Sequence, residues 1–146
     1  MLAIRDKVRF GETDKMGLVY HPNYLHWLEM GRIAYLEQGG VGLNELMEAG
    51  IHFPIREINV KYLSPMTYGD SYEVRTTMSE CNKIKMVFTY QVIRLRDGAV
   101  AVEGSTSNVF TNAVGRVARL PEQWFQKLQA LYEQENKAVA EENEHE

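Results

Sequence analysis

The alternation of apolar and polar residues predicts one strand followed by one long helix in the first part of the chain. Residues 2–10 place apolar side chains on one side and charged side chains on the other, as a half-buried strand does. From residue 23 to about residue 38, apolar residues recur at helical spacing, and Gly31 on that face would let the helix lie close to a sheet. Pro22 suits the first helical position, which makes His21 the expected N-cap.

Four more strands are predicted after this helix. Period-2 alternation recurs in residues 57–62, 72–79, 84–95 and 100–110. Asp97 and Gly98 favour a two-residue hairpin turn between the last two, so we expect this long pair in the middle of the sheet. A short helix over residues 43–49 precedes the four strands, and Pro121 opens a small C-terminal helix.

This order of elements predicts an α+β fold in which one antiparallel five-stranded sheet wraps around one long helix. Residues 1–132 form the expected single domain, and residues 133–146 form an acidic tail that is either helical or disordered. One sheet around one helix leaves the outer face or the edge of the sheet uncovered. We therefore expect a homo-oligomer.

Composition narrows the class of protein. A chain of 146 residues with 45% hydrophobic content can build one core, which excludes the disordered and collagen-like classes. Its apolar runs fall far short of the roughly 20 residues that cross a bilayer, and its charged N-terminus does not resemble a signal peptide. The single cysteine, Cys81, can form neither an internal disulfide nor a thiolate metal cluster. These features predict a cytoplasmic protein without a membrane span.

The net charge of −4 comes from one segment. Residues 133–146 hold six acidic residues against one basic residue, and the rest of the chain holds 15 basic and 14 acidic residues. A nearly neutral body argues against nucleic-acid binding, which usually needs a basic stripe. It still allows a local cationic patch that meets phosphates.

The densest group of reactive side chains lies in residues 12–24, in the loop before the long helix and in its first turn. Free N–H groups at a helix N-terminus favour negative charge, including the oxyanion that forms when a carbonyl is attacked. Asp14 could attack such a carbonyl, activate water toward it, or only hold a turn. His21 could take part in the chemistry or only cap the helix. No metal site is predicted, because His21 and His26 fall on different helix faces.

Four motifs carry a resemblance to a known family. They are Asp14-x-Met16-Gly17-x-Val19-Tyr20-His21-Pro22-Asn23-Tyr24-x-x-Trp27-x-Glu29-x-x-Arg32, Val60-x-Tyr62-x-x-Pro65-x-x-Tyr68-Gly69-Asp70, Lys83-x-Lys85 at a strand start and Gly115-Arg116-x-x-Arg119-Leu120-Pro121. Together they resemble the hot dog-fold acyl-CoA thioesterases of the 4-hydroxybenzoyl-CoA thioesterase family, which include Tol-Pal-associated and dihydroxynaphthoyl-CoA thioesterases. The resemblance implies a hot dog fold and hydrolysis of an acyl-CoA to the free acid and CoA. Coenzyme A then enters as part of the substrate, and no separate cofactor is implied.

The resemblance also implies roles for single residues. Asp14 becomes the catalytic carboxylate, either as a nucleophile or as a general base. The His21 backbone N–H points at the thioester carbonyl, and its imidazole could orient water or the departing thiolate. Glu29 matches a position where a relative binds the phenol of its acyl group, although Glu29 could instead pair with Arg32. Tyr24 belongs to an aromatic-rich neighbourhood for the acyl group.

The same resemblance implies that Asn82, Lys83 and Lys85 reach the CoA phosphates from a neighbouring subunit. The expected assembly is a dimer or a tetramer built from dimers. A hydratase or dehydratase acting on acyl-CoA, and a non-catalytic acyl-CoA-binding or scaffold protein, stay open as alternatives. The sequence separates neither aromatic from aliphatic acyl groups nor CoA thioesters from acyl-carrier-protein thioesters.

Overall fold

Five strands and three α-helices make up the computed structural model, which describes residues 1–144. The strands are β1 (Leu2–Lys7), β2 (Ile55–Tyr62), β3 (Ser71–Cys81), β4 (Lys85–Arg94) and β5 (Ala99–Val109). The helices are α1 (Asn23–Gln38), α2 (Leu43–Glu48) and α3 (Glu122–Glu144). The predicted succession of one strand, a long helix and four more strands is confirmed.

The strands form one antiparallel sheet in the order β1-β3-β4-β5-β2. β4 is the central strand, and a hairpin that contains Asp97 and Gly98 joins it to β5. The connection has four residues, 95–98, and not the predicted two, because Arg94 pairs with Ala99; Gly98 has a φ of +72°. Side chains of α1, among them Trp27 and Tyr35, are buried against one face of the sheet. This is the predicted α+β arrangement of a five-stranded sheet around one long helix.

Gly31 lets α1 approach the sheet closely. A Cβ atom at this position would lie 2.4 Å from Thr76 Oγ1 and 3.0 Å from Val74 Cγ1, both on β3. These distances leave no room for a side chain in a close-packed interior. The close packing predicted at Gly31 is therefore confirmed.

Gly31→Ala should lower the free energy of unfolding by about 1–2 kcal/mol. The added methyl overpacks the contact with Thr76 at a cost of ~1–3 kcal/mol, and the better helix propensity of alanine offsets up to ~1 kcal/mol of that cost. Urea denaturation followed by circular dichroism measures the difference. Gly11→Ala is the matched control, because a Cβ there meets nothing within 4 Å. A Gly31→Ala protein as stable as the wild type would contradict the close contact.

Two predictions for the first part of the chain are wrong. β1 ends before residue 10, because a 3-10 turn at Phe10–Glu12 follows it and leaves Phe10 exposed. The Glu12 carboxylate accepts the Arg9 N–H at 2.8 Å and so stabilises this turn. The assigned helix α1 begins at Asn23, so its N-cap is Pro22 and not His21, and no side chain caps the helix. The backbone at Pro22 is nevertheless helical, which agrees with the expectation that this proline suits a first helical position.

β2 differs from the half-buried strand that its alternation predicts. None of its residues is buried in the single chain, and Ile58 and Tyr62 are exposed. β2 lies at the edge of the sheet, where it pairs with β5 alone, and in the single chain neither of its faces is covered, unlike those of the half-buried edge strand β1. Apolar side chains exposed along an edge strand form the kind of surface that a second copy can cover.

α3 is longer than the small C-terminal helix predicted, since it runs over 23 residues. Residues 133–144 of the predicted acidic tail belong to this helix, whereas residues 145–146 lie outside the described residues. Glu135 is buried and accepts a hydrogen bond from the Tyr35 hydroxyl at 2.9 Å. Burial and this carboxylate raise the pKa of Tyr35. Among the helices of residues 1–144, none is both long and apolar enough to cross a membrane.

Candidate active site

A tight turn before α1 presents Asp14. The Asp14 N–H donates to the Leu18 carbonyl at 2.7 Å, and the Gly17 N–H donates to the Asp14 carbonyl at 3.0 Å. Gly17 has a φ of +79°, in the left-handed region that favours glycine. The turn thus has a fixed backbone conformation, and the chain enters α1 a few residues later.

The Asp14 carboxylate has one engaged oxygen and one free oxygen. Oδ1 accepts the N–H groups of Met16 at 2.8 Å and Leu18 at 3.2 Å. Oδ2 has no hydrogen-bond partner within residues 1–144. Holding the turn and reacting with a ligand are therefore compatible, because one oxygen orients the group and the other stays available.

Asp14 lies in an open depression of about 810 Å³ at the start of α1. The exposed aromatic residues Phe10, Tyr20 and Tyr68 contribute to its lining, together with Asn23. The rings of Phe10 and Tyr68 meet edge to face, with 5.8 Å between centroids. Exposed aromatic rings grouped around a carboxylate form a surface suited to binding an apolar group next to a reactive one.

The start of α1 leaves one backbone N–H unbonded. The Asn23 N–H donates to the Tyr20 carbonyl at 2.9 Å, and the Tyr24 N–H donates to the His21 carbonyl at 3.3 Å. Pro22 has no N–H, and the His21 N–H donates to no acceptor within residues 1–144. A free N–H at the positive end of a helix suits an oxygen that gains negative charge.

The His21 ring lies among tyrosines. Its centroid is 5.0 Å from that of Tyr20 and 5.9 Å from that of Tyr62. The Tyr62 hydroxyl donates to the His21 carbonyl at 3.4 Å. His21 does not line the depression around Asp14 with either its ring or its backbone. Its unbonded N–H still gives the backbone of His21 a clearer chemical position than its imidazole.

Glu12 ties the Asp14 turn to α1, a role that sequence reasoning missed. Its Oε2 accepts the Trp27 indole N–H at 2.6 Å. Its carbonyl accepts the Tyr20 N–H and the Asn23 side-chain N–H, each at 2.9 Å. Trp27 is 1% exposed, so its indole N–H has no water to bond instead. The sequence does contain a signal for this hydrogen bond, namely a carboxylate just before the turn and a tryptophan on the buried face of the next helix. A buried indole N–H needs an acceptor, and such a carboxylate can supply it.

Glu12→Ala should lower the free energy of unfolding by about 1–3 kcal/mol, the cost of a buried donor without an acceptor. Glu12→Gln should have an intermediate stability, because its single amide oxygen can serve either Trp27 or Arg9 but not both. Denaturant titration measures the order of the three proteins. Glu57→Ala, which removes an exposed carboxylate on β2, is the control and should stay within ~0.5 kcal/mol of the wild type. Equal stability of Glu12→Ala and this control would disprove the role of Glu12.

Two of the predicted substrate-binding residues lie elsewhere on α1. Tyr24 is 4% exposed and contacts Trp27 and Tyr62, with centroid distances of 4.9 and 5.6 Å. Burial raises the pKa of the Tyr24 phenol. Glu29 is exposed and lines a second cavity of about 550 Å³. The ion pair with Arg32 that its spacing allows is not formed within residues 1–144.

The other three predicted residues, Asn82, Lys83 and Lys85, form a hairpin cluster between β3 and β4. Asn82 Oδ1 accepts two backbone N–H groups of the turn at 2.8 and 2.9 Å. Lys83 pairs with Glu122 at 2.8 Å, and Lys85 pairs with Glu80 at 3.3 Å. Exposed pairs of this kind contribute only about 0–1 kcal/mol, so either lysine can exchange its carboxylate for a phosphate.

The hairpin cluster and Asp14 lie at opposite ends of β3. The turn that contains Asp14 is bonded to the segment before β3, where the Val19 N–H donates to the Met66 carbonyl at 2.9 Å. Asn82 follows the last residue of the same strand. The 11 residues of β3 span about 33 Å at ~3.3 Å per residue. In one chain, therefore, the cluster and Asp14 do not form a single compact site.

Cys81 is a partly buried strand residue rather than a nucleophile. Burial raises the pKa of its thiol to about 11, which keeps the thiol protonated at neutral pH. Within residues 1–144, no three His, Cys, Asp or Glu side chains are grouped closely enough to hold a metal ion. Asp14 is the group whose position and free oxygen support chemistry.

Known proteins share this fold and parts of this sequence. YneP of Bacillus subtilis, provisionally named an acyl-CoA thioesterase, is 34% identical over 103 residues, which are 70% of this chain and 74% of YneP. The DHNA-CoA thioesterase of Staphylococcus aureus has a TM-score of 0.83 at 28% identity, over 99% of this chain and 94% of its own. The hypothetical protein TT1821 of Thermus thermophilus has a TM-score of 0.83 at 34% identity, over 88% and 98%.

The chain shares its five-stranded antiparallel sheet around one helix with the solved DHNA-CoA thioesterase, and together with the sequence similarity to YneP this makes it a hot dog-fold thioesterase, a hydrolase of thioesters. The model of the Thioesterase-like superfamily matches residues 8–130. The chain therefore belongs to the Thioesterase-like superfamily. The resemblance, the fold and the hydrolase class expected from the sequence are confirmed.

Proposed function

We propose that this protein hydrolyses acyl-CoA thioesters to the free acid and CoA, with Asp14 as the catalytic carboxylate and the His21 N–H as the donor to the thioester oxygen. The observation that carries the proposal is the free Oδ2 of Asp14 in a depression just before α1. The unbonded N–H of His21, two residues before the first residue of α1, supports it. The similarity to YneP and to the DHNA-CoA thioesterase supports a CoA ester as the substrate class.

A carboxylate and a free backbone N–H can suffice for thioester hydrolysis, because a thiolate leaves without strong acid assistance. As a general base, Asp14 takes a proton from water while the water oxygen adds to the thioester carbonyl. The resulting oxyanion accepts the His21 N–H, the C–S bond then breaks, and the thiolate takes up a proton to leave as CoA. As a nucleophile, Asp14 Oδ2 adds to the carbonyl itself, the thiolate leaves, and water hydrolyses the mixed anhydride.

The proposal includes a second copy of the chain. The hairpin cluster is separated from the Asp14 end of β3 by about 33 Å. A neighbouring subunit is the simplest way to bring Lys83 and Lys85 to the phosphates of a CoA bound at Asp14. The exposed Ile58 and Tyr62 on edge strand β2 favour such an association. We propose a dimer, or a tetramer built from dimers, with active sites between subunits.

A thiol-release assay tests the activity. The purified protein is incubated with short, long and aromatic acyl-CoAs and, as a separate arm, with an acyl-carrier-protein thioester. Release of CoA from at least one ester is expected, and the panel identifies the acyl group. Loss of the double bond of an enoyl-CoA without CoA release would favour a hydratase, and binding without turnover would favour a scaffold. Either result would overturn the proposal.

A further inference from the structure

Arg32 is a buried cation without a counter-ion in the described part of the chain. The residue is 4% exposed, and its Nη1 donates to the Tyr90 hydroxyl at 3.3 Å. Nε is buried and has no partner within residues 1–144. The Tyr90 hydroxyl also bonds to Thr106 Oγ1 at 2.7 Å, and these neutral groups do not balance the charge. A guanidinium has five N–H donors, and burying it with so few acceptors is unfavourable.

Arg32 lines a cavity of about 550 Å³ between α1, α2 and the segments that flank the second and fifth strands. Its apolar lining includes Leu43, Met47, Ile51 and Phe53. The volume is within the range of small-molecule pockets, which combine apolar walls with a few polar groups. A cation in an apolar cavity can recognise a polar group at the end of an otherwise hydrocarbon ligand.

The cavity lies on the flank of α1 opposite the depression around Asp14. Asn23 lines the depression and Arg32 lines the cavity. At ~100° per residue, these two positions are about 180° apart around the helix axis. The cavity therefore does not adjoin the Asp14 of its own chain. In the dimer proposed above, the cavity of one subunit would serve the Asp14 of the other. The inference that follows rests on that proposed function.

We propose that Arg32 selects acyl groups that end in an oxygen acceptor, with a carboxylate preferred. A carboxylate supplies the missing negative charge and oxygen acceptors for the guanidinium N–H groups that Tyr90 leaves unbonded. A hydroxyl supplies an acceptor without the charge, and a methyl supplies neither. Glu29 also lines the cavity, but it is exposed, so its own charge stays hydrated. The expected order of substrates is ω-carboxyacyl, then ω-hydroxyacyl, then plain acyl thioesters.

A carboxylate from the second subunit is the rival partner for Arg32. In that case Arg32 is half of a buried ion pair, and removing it destabilises the protein. If Arg32 instead binds the substrate, it is an unpaired charge in the free enzyme. Replacing it with an apolar residue is then neutral or stabilising. The melting temperature of Arg32→Met without substrate separates the two cases.

The test compares kcat/KM for three esters of equal chain length: adipoyl-CoA, 6-hydroxyhexanoyl-CoA and hexanoyl-CoA. The wild type should prefer adipoyl-CoA over hexanoyl-CoA by about 10–100-fold. Arg32→Met should reduce this ratio to near one and melt at the same or a higher temperature. Arg32→Lys should keep part of the ratio, because it keeps the charge without the fork. Arg116→Met, an exposed arginine next to cavity-lining Gly115, is the matched control and should keep the ratio.

Three results would overturn the inference while leaving the hydrolase in place. They are equal kcat/KM for all three esters in the wild type, an Arg32→Met protein that keeps the wild-type ratio, and an Arg32→Met protein that melts at a lower temperature. Preference for the hydroxy ester over the carboxy ester would also contradict it. Failure to release CoA from any ester, by wild type or variants, would count against the proposed function and against this inference together.

Discussion

Asp14→Asn should reduce thioester hydrolysis by about 10²–10⁴-fold while the fold and the assembly stay intact. The amide keeps Oδ1 to accept the N–H groups of Met16 and Leu18, so the turn is preserved. Its nitrogen can neither take a proton from water nor attack a carbonyl, so both routes open to Asp14 are closed. The thiol-release kcat/KM measures the loss, and circular dichroism with the gel-filtration elution volume reports fold and assembly.

Two further variants separate chemistry from turn formation. Asp97→Asn alters another turn carboxylate, whose Oδ1 accepts the Ala99 N–H at 3.1 Å in the hairpin between β4 and β5. It should keep near wild-type turnover. Asp14→Ala removes the turn acceptors as well as the reactive oxygen, so it should lose stability in addition to activity. Near wild-type turnover in Asp14→Asn would rule out Asp14 as the catalytic carboxylate.

The elements of this fold could be predicted because each strand and helix around one core has an apolar side with its own period. The exposure of β2 could not be predicted in this way. Ile58 and Tyr62 alternate as core residues do, yet they are exposed at the sheet edge, since periodicity reports which side is apolar and not what covers it. The buried role of Glu135 was missed for a similar reason, because its partner Tyr35 is distant in the sequence.

The candidate site could be predicted where its chemistry depends on neighbours in the sequence. Asp14 stands in a turn with Gly17 just before a helix, and that order alone indicates a carboxylate near free N–H groups. Glu12 could not be assigned, because its role depends on a hydrogen bond to Trp27 across the junction of turn and helix. The separation of Lys83 from Asp14 likewise required the strand order and register.

The role of Arg32 could be predicted from the sequence only in part. It lies four residues from both Leu28 and Leu36, which are buried, so the helical period places a charged residue on an apolar face. That spacing is a usable signal for a buried cation. The absence of a counter-ion within residues 1–144 and the cavity beside Arg32 depend on tertiary contacts, which the spacing does not report.

Two defective variants should restore activity when they assemble together. Asp14→Asn lacks the catalytic carboxylate, and the double variant Lys83→Glu with Lys85→Glu repels the CoA phosphates, so the latter should lose about 10–100-fold in kcat/KM. If each site combines Asp14 of one subunit with the hairpin cluster of the other, the mixed dimer holds one intact site and one doubly defective site. The isolated mixed dimer should then have about one half of the wild-type activity.

The experiment co-expresses the two variants with different tags and purifies the mixed assembly through both tags in turn. Its thiol-release activity is compared with that of each variant alone. A matched mixture replaces the second variant by Lys7→Glu with Lys137→Glu, an exposed pair away from the hairpin cluster. There the second variant should be fully active alone, and mixing with Asp14→Asn should only dilute its activity.

If the site lay within one chain, the first mixture would show no more than the average of its two components, because neither subunit would hold both Asp14 and the lysines. That outcome would refute an active site shared between subunits, whereas recovery to about one half requires it.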